Sequence, residues 1–214
     1  IGTLPLRSSG DSRRVADAMS TPQKVCGDWA HLDEAAQEPR YKAIADLINR
    51  YSRGLYVLDV GCGMGTLAGH LPKRFSYFGV DPSSEAVNIA QGRGIAADVY
   101  HPDDWTTVNQ WDCTVMSETL YYSRDPIGLL ERFTRQLTAD GILIVTIWQQ
   151  AKTPTWRRRL AHMLDRRRPT GNMHCSEMVV QWLSSHGHIL QSYLLPRPNG
   201  GAPWRVWAWI GREL

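Results

Sequence analysis

No apolar run in this 214-residue sequence approaches the roughly twenty residues that a helix needs to cross a bilayer, so helical membrane spans are excluded. Cysteine is sparse, and Cys26, Cys62, Cys113 and Cys175 contain no Cys-x-x-Cys pair, which argues against a zinc site or a disulfide framework and predicts reduced thiols. A charge excess of one sign is also missing. The 24 Lys and Arg against 21 Asp and Glu leave +3, the balance of an ordinary soluble protein. Residues 1–25 show no signal-peptide order of charges followed by an apolar core, so the cytoplasm is the expected location.

The length suits one domain, large enough to bury about seventy per cent of the surface that its unfolded chain exposes. Residues 1–27 are polar and weakly patterned and are expected to form an arm, with one domain over 28–214. Tyr41, Ile44, Leu47, Ile48 and Tyr51 recur at helical spacing up to Gly54, which predicts a helix covering one face of a sheet. Later elements follow by the same logic: helices over Ser84–Gln91 and from Asp125, a buried strand over Ile142–Ile147, a helix over Glu177–Ser184, and strands over His188–Leu194 and Trp204–Ile210.

The stretch Val57-Leu58-Asp59-Val60-Gly61-Cys62-Gly63-Met64-Gly65 runs an apolar strand into a glycine-rich turn. Glycines at 61, 63 and 65 let the backbone turn sharply and leave no Cβ between it and a ligand, and a following helix, expected as far as Lys73, would aim free N–H groups at the same place. Phe78-Gly79-Val80-Asp81 supplies a second strand, whose acid lies twenty positions after Gly61. A carboxylate there reaches the ribose hydroxyls of a nucleoside. The dinucleotide fingerprint Gly-x-Gly-x-x-Gly is broken, because position 66 is Thr. Asp59 would repel a pyrophosphate and suits a ligand with an ammonium and a sulfonium group, which points to S-adenosylmethionine over nicotinamide.

These residues resemble the first two motifs of the class I S-adenosylmethionine-dependent methyltransferases, and the likeness continues through Ala96-Ala97-Asp98, Trp111–Met116 and Leu137–Val145. The resemblance implies a Rossmann-like three-layer α/β/α sandwich around a seven-stranded, mostly parallel sheet of order 3-2-1-4-5-7-6 with an antiparallel last strand. It also implies a cofactor set. Asp81 would hold the ribose, Asp98 the adenine amino group and Arg40 the methionine carboxylate, with Asp59, Gly61, Gly63, Gly65 and Glu118 around them.

Reactive groups are expected beyond the fourth strand, in Ser117-Glu118-Thr119-Leu120-Tyr121-Tyr122. Related enzymes often carry a histidine base here; Tyr121 and Tyr122 replace it, in a short pattern similar to that of nodulation-factor N-methyltransferases. The candidate catalytic residues are Glu118, Tyr122 and His174, the last expected in a loop over 171–174. No metal cluster is visible. The expected reaction moves a methyl group to a small-molecule amine, sugar or other nucleophile, possible anionic character included. Two alternatives stay open. Residues 151–173 carry seven basic side chains against Asp165 alone, a docking surface for nucleic acid or protein. The other is a cofactor-binding subunit without activity.

Overall fold

The computed structural model describes residues 35–105, 107–148, 172–197 and 203–211, the third stretch by backbone alone up to 174. The expected arm, residues 1–27, and the basic segment up to 171 lie outside them, as does Cys26. Cys62, Cys113 and Cys175 are free and buried.

Seven strands form one sheet: β1 (Tyr56–Val60), β2 (Ser76–Asp81), β3 (Ala97–Val99), β4 (Trp111–Ser117), β5 (Leu137–Trp148), β6 (Gly187–Leu195) and β7 (Trp204–Gly211). Their order is β3-β2-β1-β4-β5-β7-β6, with β7 antiparallel to both neighbours and the other pairs parallel. This is the architecture that the resemblance implied.

Both faces of the sheet are buried, which is why its central strands read as continuous apolar runs. Alternation along each strand then sorts the side chains. Leu58, Val60, Leu143, Val145, Trp207 and Trp209 share one core with Phe133 and Leu183, from α3 (Pro126–Thr134) and α4 (Asn172–His186). Val57, Val115, Ile142, Ile144, Val206 and Ala208 meet Ile44, Leu47 and Ile48 of α1 (Glu38–Tyr51) on the other. The α2 helix (Ser84–Gly92) starts at Ser83, whose hydroxyl accepts from the Ala86 N–H at 3.2 Å, and packs Val87 and Ala90 against Cys62 and Ala97. Asp125 caps α3 in the same way, accepting from the Gly128 N–H at 2.9 Å.

Three expectations are corrected. The element after the glycine turn is a five-residue 3-10 turn, Thr66–His70, and not a helix to Lys73. Gly65 takes the left-handed conformation just before it, and Leu71-Pro72 ends it, so no helix dipole is aimed at the glycines. Residues 172–174 belong to the first turn of α4, so His174 is helical rather than in a loop. The strand expected over Ile142–Ile147 starts earlier, at Leu137, and carries a bulge. Trp111 pairs with Leu137 and Cys113 with Ile142, leaving residues 138–141 opposite Asp112.

Asp112 ties the amino ends of three strands. Its Oδ2 accepts from the N–H groups of Leu55 and Tyr56 at 2.8 and 3.0 Å, and its Oδ1 from the Thr138 hydroxyl at 3.1 Å. Asp112→Ala is expected to cost about 2 kcal/mol in urea unfolding, since two backbone donors lose a charged acceptor. A loss below a few tenths would show that water replaces it.

Candidate cofactor-binding site at the carboxyl ends of the strands

β1 and β4 are neighbours in the sheet, and the chain leaves them toward opposite sides, which opens a crevice at their carboxyl ends. The glycine turn lines it. The Gly61 and Cys62 N–H groups both donate to the Val80 carbonyl, at 2.7 and 3.1 Å, so the turn begins bound to β2. Gly61 sits at φ +80, and a Cβ there would fall 2.3 Å from the Thr119 hydroxyl oxygen. That hydroxyl donates to the Val60 carbonyl at 2.7 Å and closes the end of β1. Gly63 is different. Its φ is +54, and an added Cβ would meet nothing within 4 Å, so open space lies over the middle of the turn. Gly65, also at positive φ, abuts Ile95.

Asp81 stands beside this space at the tip of β2. Its Oδ2 accepts from the Gly63 N–H at 2.8 Å and its Oδ1 from the Ser83 N–H at 2.9 Å. Burial raises its pKa, and these two N–H groups oppose the rise. Each oxygen retains a lone pair for a further donor. Asp98 lies one strand outward, paired with Val80, with an exposed side chain whose Oδ1 accepts from the Val99 N–H at 2.8 Å.

Two opposite charges are buried at the inner end of the crevice. Asp59 is 3% exposed; Tyr77 donates its hydroxyl to Oδ2 at 2.8 Å, while Oδ1 is buried with no partner among the described residues. Burial pushes its pKa up to about 7, against the hydrogen bond from Tyr77 and the more distant Arg40 charge. Arg40 is also 3% exposed. Pro39 starts α1 and puts Arg40 in its first turn, where the guanidinium lies 4.8 Å from the Tyr41 ring centre and 5.4 Å from that of Trp204. Its Nη2 donates to the Tyr41 hydroxyl at 3.1 Å, but Nε is buried with no partner among the described residues. Orphaned buried charges are costly. The pair therefore fits a ligand that carries both an ammonium and a carboxylate.

Glu118 completes the site just past β4. It is the one non-glycine residue at positive φ (61) among the described residues, while its N–H still donates to the Thr146 carbonyl at 3.0 Å. Backbone of this kind costs of order 1–3 kcal/mol and collects at functional sites. The Tyr121 hydroxyl donates to Glu118 Oε1 at 3.3 Å and accepts from the Trp148 N–H. Burial pushes the Glu118 pKa up to about 7, against the nearby Arg40, Tyr121 and Arg197. Burial likewise raises the Tyr121 hydroxyl above the ordinary phenol range, so it serves as a donor. Tyr122 is 57% exposed, its ring edge-on to that of Tyr121. The structure thus gathers Gly61, Gly63, Gly65, Asp59, Asp81, Arg40 and Glu118, keeps Asp98 at the rim, and says nothing of the His174 side chain.

Tyr77, Thr119, Trp148, Trp204 and Arg197 enter the site without having been singled out as functional. Tyr77 was within reach of sequence reasoning: in the parallel register it pairs with Val57, on the face that Asp59 also uses.

Comparison with known proteins agrees with this geometry. A family model described as a methyltransferase domain matches residues 36–193. Trans-aconitate 2-methyltransferase of Mycobacterium tuberculosis is 29% identical over 121 residues, 54% of this chain and 46% of that protein. The cyclopropane-fatty-acyl-phospholipid synthase of Escherichia coli is 29% identical over 139 residues, 61% of this chain and 36% of that protein. The chain spans less than half the length of these curated relatives. Among solved structures, the N-methyltransferase NodS from Bradyrhizobium japonicum WM9, in complex with S-adenosylhomocysteine, superposes with a TM-score of 0.69 at 15% identity, over 86% of this chain and 92% of that one. The plantazolicin methyltransferase BpumL, in complex with a pentazolic desmethylPZN analogue and S-adenosylhomocysteine, gives 0.61 at 12% identity, over 95% and 93%. Identities this low speak for the fold alone. With the family model spanning most of the chain and the strand order in agreement, the chain belongs to the class I S-adenosylmethionine-dependent methyltransferases.

Proposed function

We propose that this domain binds S-adenosylmethionine over the glycine turn and methylates a nitrogen or oxygen of a small molecule. The observation that carries the reading is the unmated pair of buried charges, Asp59 Oδ1 and Arg40 Nε, beside open space at Gly63. One ligand part satisfies both, an amino-acid end. In this reading Arg40 holds the carboxylate, Asp59 the ammonium, Asp81 the ribose hydroxyls and Asp98 the adenine amino group, and Gly61, Gly63 and Gly65 let the backbone approach. The cofactor supplies an activated methyl group and leaves as S-adenosylhomocysteine.

The chain's own part is to align the acceptor, keep water out and take a proton. For such alignment about 7–11 kcal/mol of barrier lowering is available in well-oriented systems. Glu118 is the proposed proton acceptor: at a pKa of about 7 it is half ionised near neutrality and able to accept from an amine or hydroxyl. Tyr121 positions it. Tyr122, 57% exposed, is assigned contact with the acceptor. His174 stays a further candidate at the start of α4. The small-molecule assignment draws support from the acceptor that trans-aconitate 2-methyltransferase carries in its name. Its rival, docking of nucleic acid or protein on the basic segment 151–173, draws on sequence charge alone.

S-adenosylhomocysteine at a hundred times its Kd is expected to stabilise the protein by about 2.7 kcal/mol, read as a rise in Tm. In Asp81→Ala the rise should disappear. Equal stabilisation of both proteins would remove Asp81 from the site. Methyl-labelled S-adenosylmethionine incubated with fractionated cell extract should place label in the deproteinised, nuclease-treated small-molecule fraction. Label confined to macromolecules would overturn the acceptor assignment.

Burial of Glu118 also predicts a pH signature. Its folded pKa lies above the ordinary carboxyl value of 4.5, so its contribution to stability is full below about 4.5 and is lost as the pH rises through about 7. Glu118→Gln should therefore raise Tm at pH 8 and change it little at pH 4. An equal change at both pH values would show that the carboxylate is not held in a desolvated setting.

A further inference from the structure

With Arg40, Asp59 and Asp81 assigned to the cofactor, one cation of the crevice among the described residues is left without a task. Arg197 follows β6 by two residues. Leu195, at the end of β6, pairs with Trp204, at the start of β7, which pairs in turn with Trp148, at the end of β5. The three strands thus bring two indoles side by side at the edge of the crevice. The Arg197 guanidinium lies 5.1 Å from the ring centre of Trp204 and 6.0 Å from that of Trp148. Trp148 is also the residue whose backbone N–H donates to Tyr121, the partner of Glu118. Arg197 is half-buried, and among the described residues no carboxylate forms an ion pair with it.

A guanidinium held against aromatic rings is partly stripped of water yet keeps in-plane N–H donors. Such donors match an oxyanion, which takes two of them at once. Trp204 also carries Arg40 at 5.4 Å, so a single buried indole supports both cations of the site. Their positions differ: Arg40 is buried and its charge reaches both Asp59 and Glu118, whereas Arg197 is half-buried and adds a smaller effect on Glu118, whose carboxyl both help to keep ionised.

We propose that Arg197, seated against Trp148 and Trp204, binds an oxyanion of the methyl acceptor, a carboxylate or a phosphate, while Glu118 receives the proton of the acceptor's amine or hydroxyl. This rests on the methyl-transfer reading above and narrows its substrate to molecules that carry an acid group near the nucleophile. The transferred proton passes to one Glu118 oxygen, and the negative charge that Glu118 loses leaves the Arg197 charge to the bound anion.

Citrate and inorganic phosphate serve as probes, titrated at constant ionic strength against the full chain with and without saturating S-adenosylhomocysteine, with tryptophan fluorescence as readout. At least one anion should bind saturably to the wild type. Binding should weaken about tenfold or more in Arg197→Gln, recover for the most part in Arg197→Lys, and stay unchanged in Arg53→Gln, where a surface arginine beside Asp140 is lost. S-adenosylhomocysteine affinity should be equal in all four proteins, which shows that each is folded. Citrate alone binding supports a carboxylate acceptor, and phosphate alone a phosphorylated one. Anion binding equal in wild type and Arg197→Gln, or saturable binding of neither anion, overturns the proposal. Failure of every protein to bind S-adenosylhomocysteine overturns the cofactor reading instead, while the titrations without it still decide the fate of the anion subsite.

Discussion

Two charges of opposite sign are buried at the carboxyl end of this sheet and do not satisfy one another. Asp59 spends one oxygen on Tyr77 and leaves the other bare, and Arg40 spends one terminal nitrogen on Tyr41 and leaves Nε bare. Desolvating either group is unfavourable, and the strain shows in the carboxyl, whose pKa rises to about 7. The apolar packing of α1 against β1, β5 and β7 holds both groups in place regardless. Stability is given up at one spot, and the proposed return is a setting complementary to a zwitterion.

The backbone around that setting follows the same logic. Gly61 has to be glycine because Thr119 occupies the space of its Cβ; Gly63 lies at positive φ beneath open space, where a side chain would stand in place of a ligand. Glu118 takes a left-handed conformation that a carboxylate-bearing residue rarely adopts, which turns its side chain off the line of β4. On the outer side, Trp148 and Trp204 replace a carboxylate partner with aromatic faces for Arg197. The crevice thus holds two carboxyls and two guanidiniums among the described residues, with Arg40 acting on both carboxyls and Arg197 on Glu118.

Much of this was legible in the sequence. Runs such as Ile142–Ile147 announce a strand buried on both faces, Ser83 and Asp125 announce their helices, and the distance from Gly61 to Asp81 matches a turn and the neighbouring strand tip. The five-residue 3-10 turn was missed because Thr66, Leu67 and Ala68 suit a helix locally; the left-handed Gly65 before them and Pro72 after them limit its length. The start of α4 was placed too late, since Gly171 and Asn172 read as turn residues. Arg197 escaped notice for another reason. It lies in a Pro- and Gly-rich connection, and its value depends on two tryptophans brought beside it by antiparallel pairing, a long-range fact without a local signature.

The central claim, that Arg40 and Asp59 await the two ends of an amino acid, is tested most directly by calorimetric comparison of S-adenosylhomocysteine with 5′-methylthioadenosine, which keeps the nucleoside and lacks the amino-acid end. The account predicts binding of the truncated ligand weaker by about a hundredfold or more, from the loss of two charge-assisted contacts, with the gap narrowing about tenfold in Arg40→Met, which removes one of the two. Equal affinity of the two ligands for the wild type would contradict it.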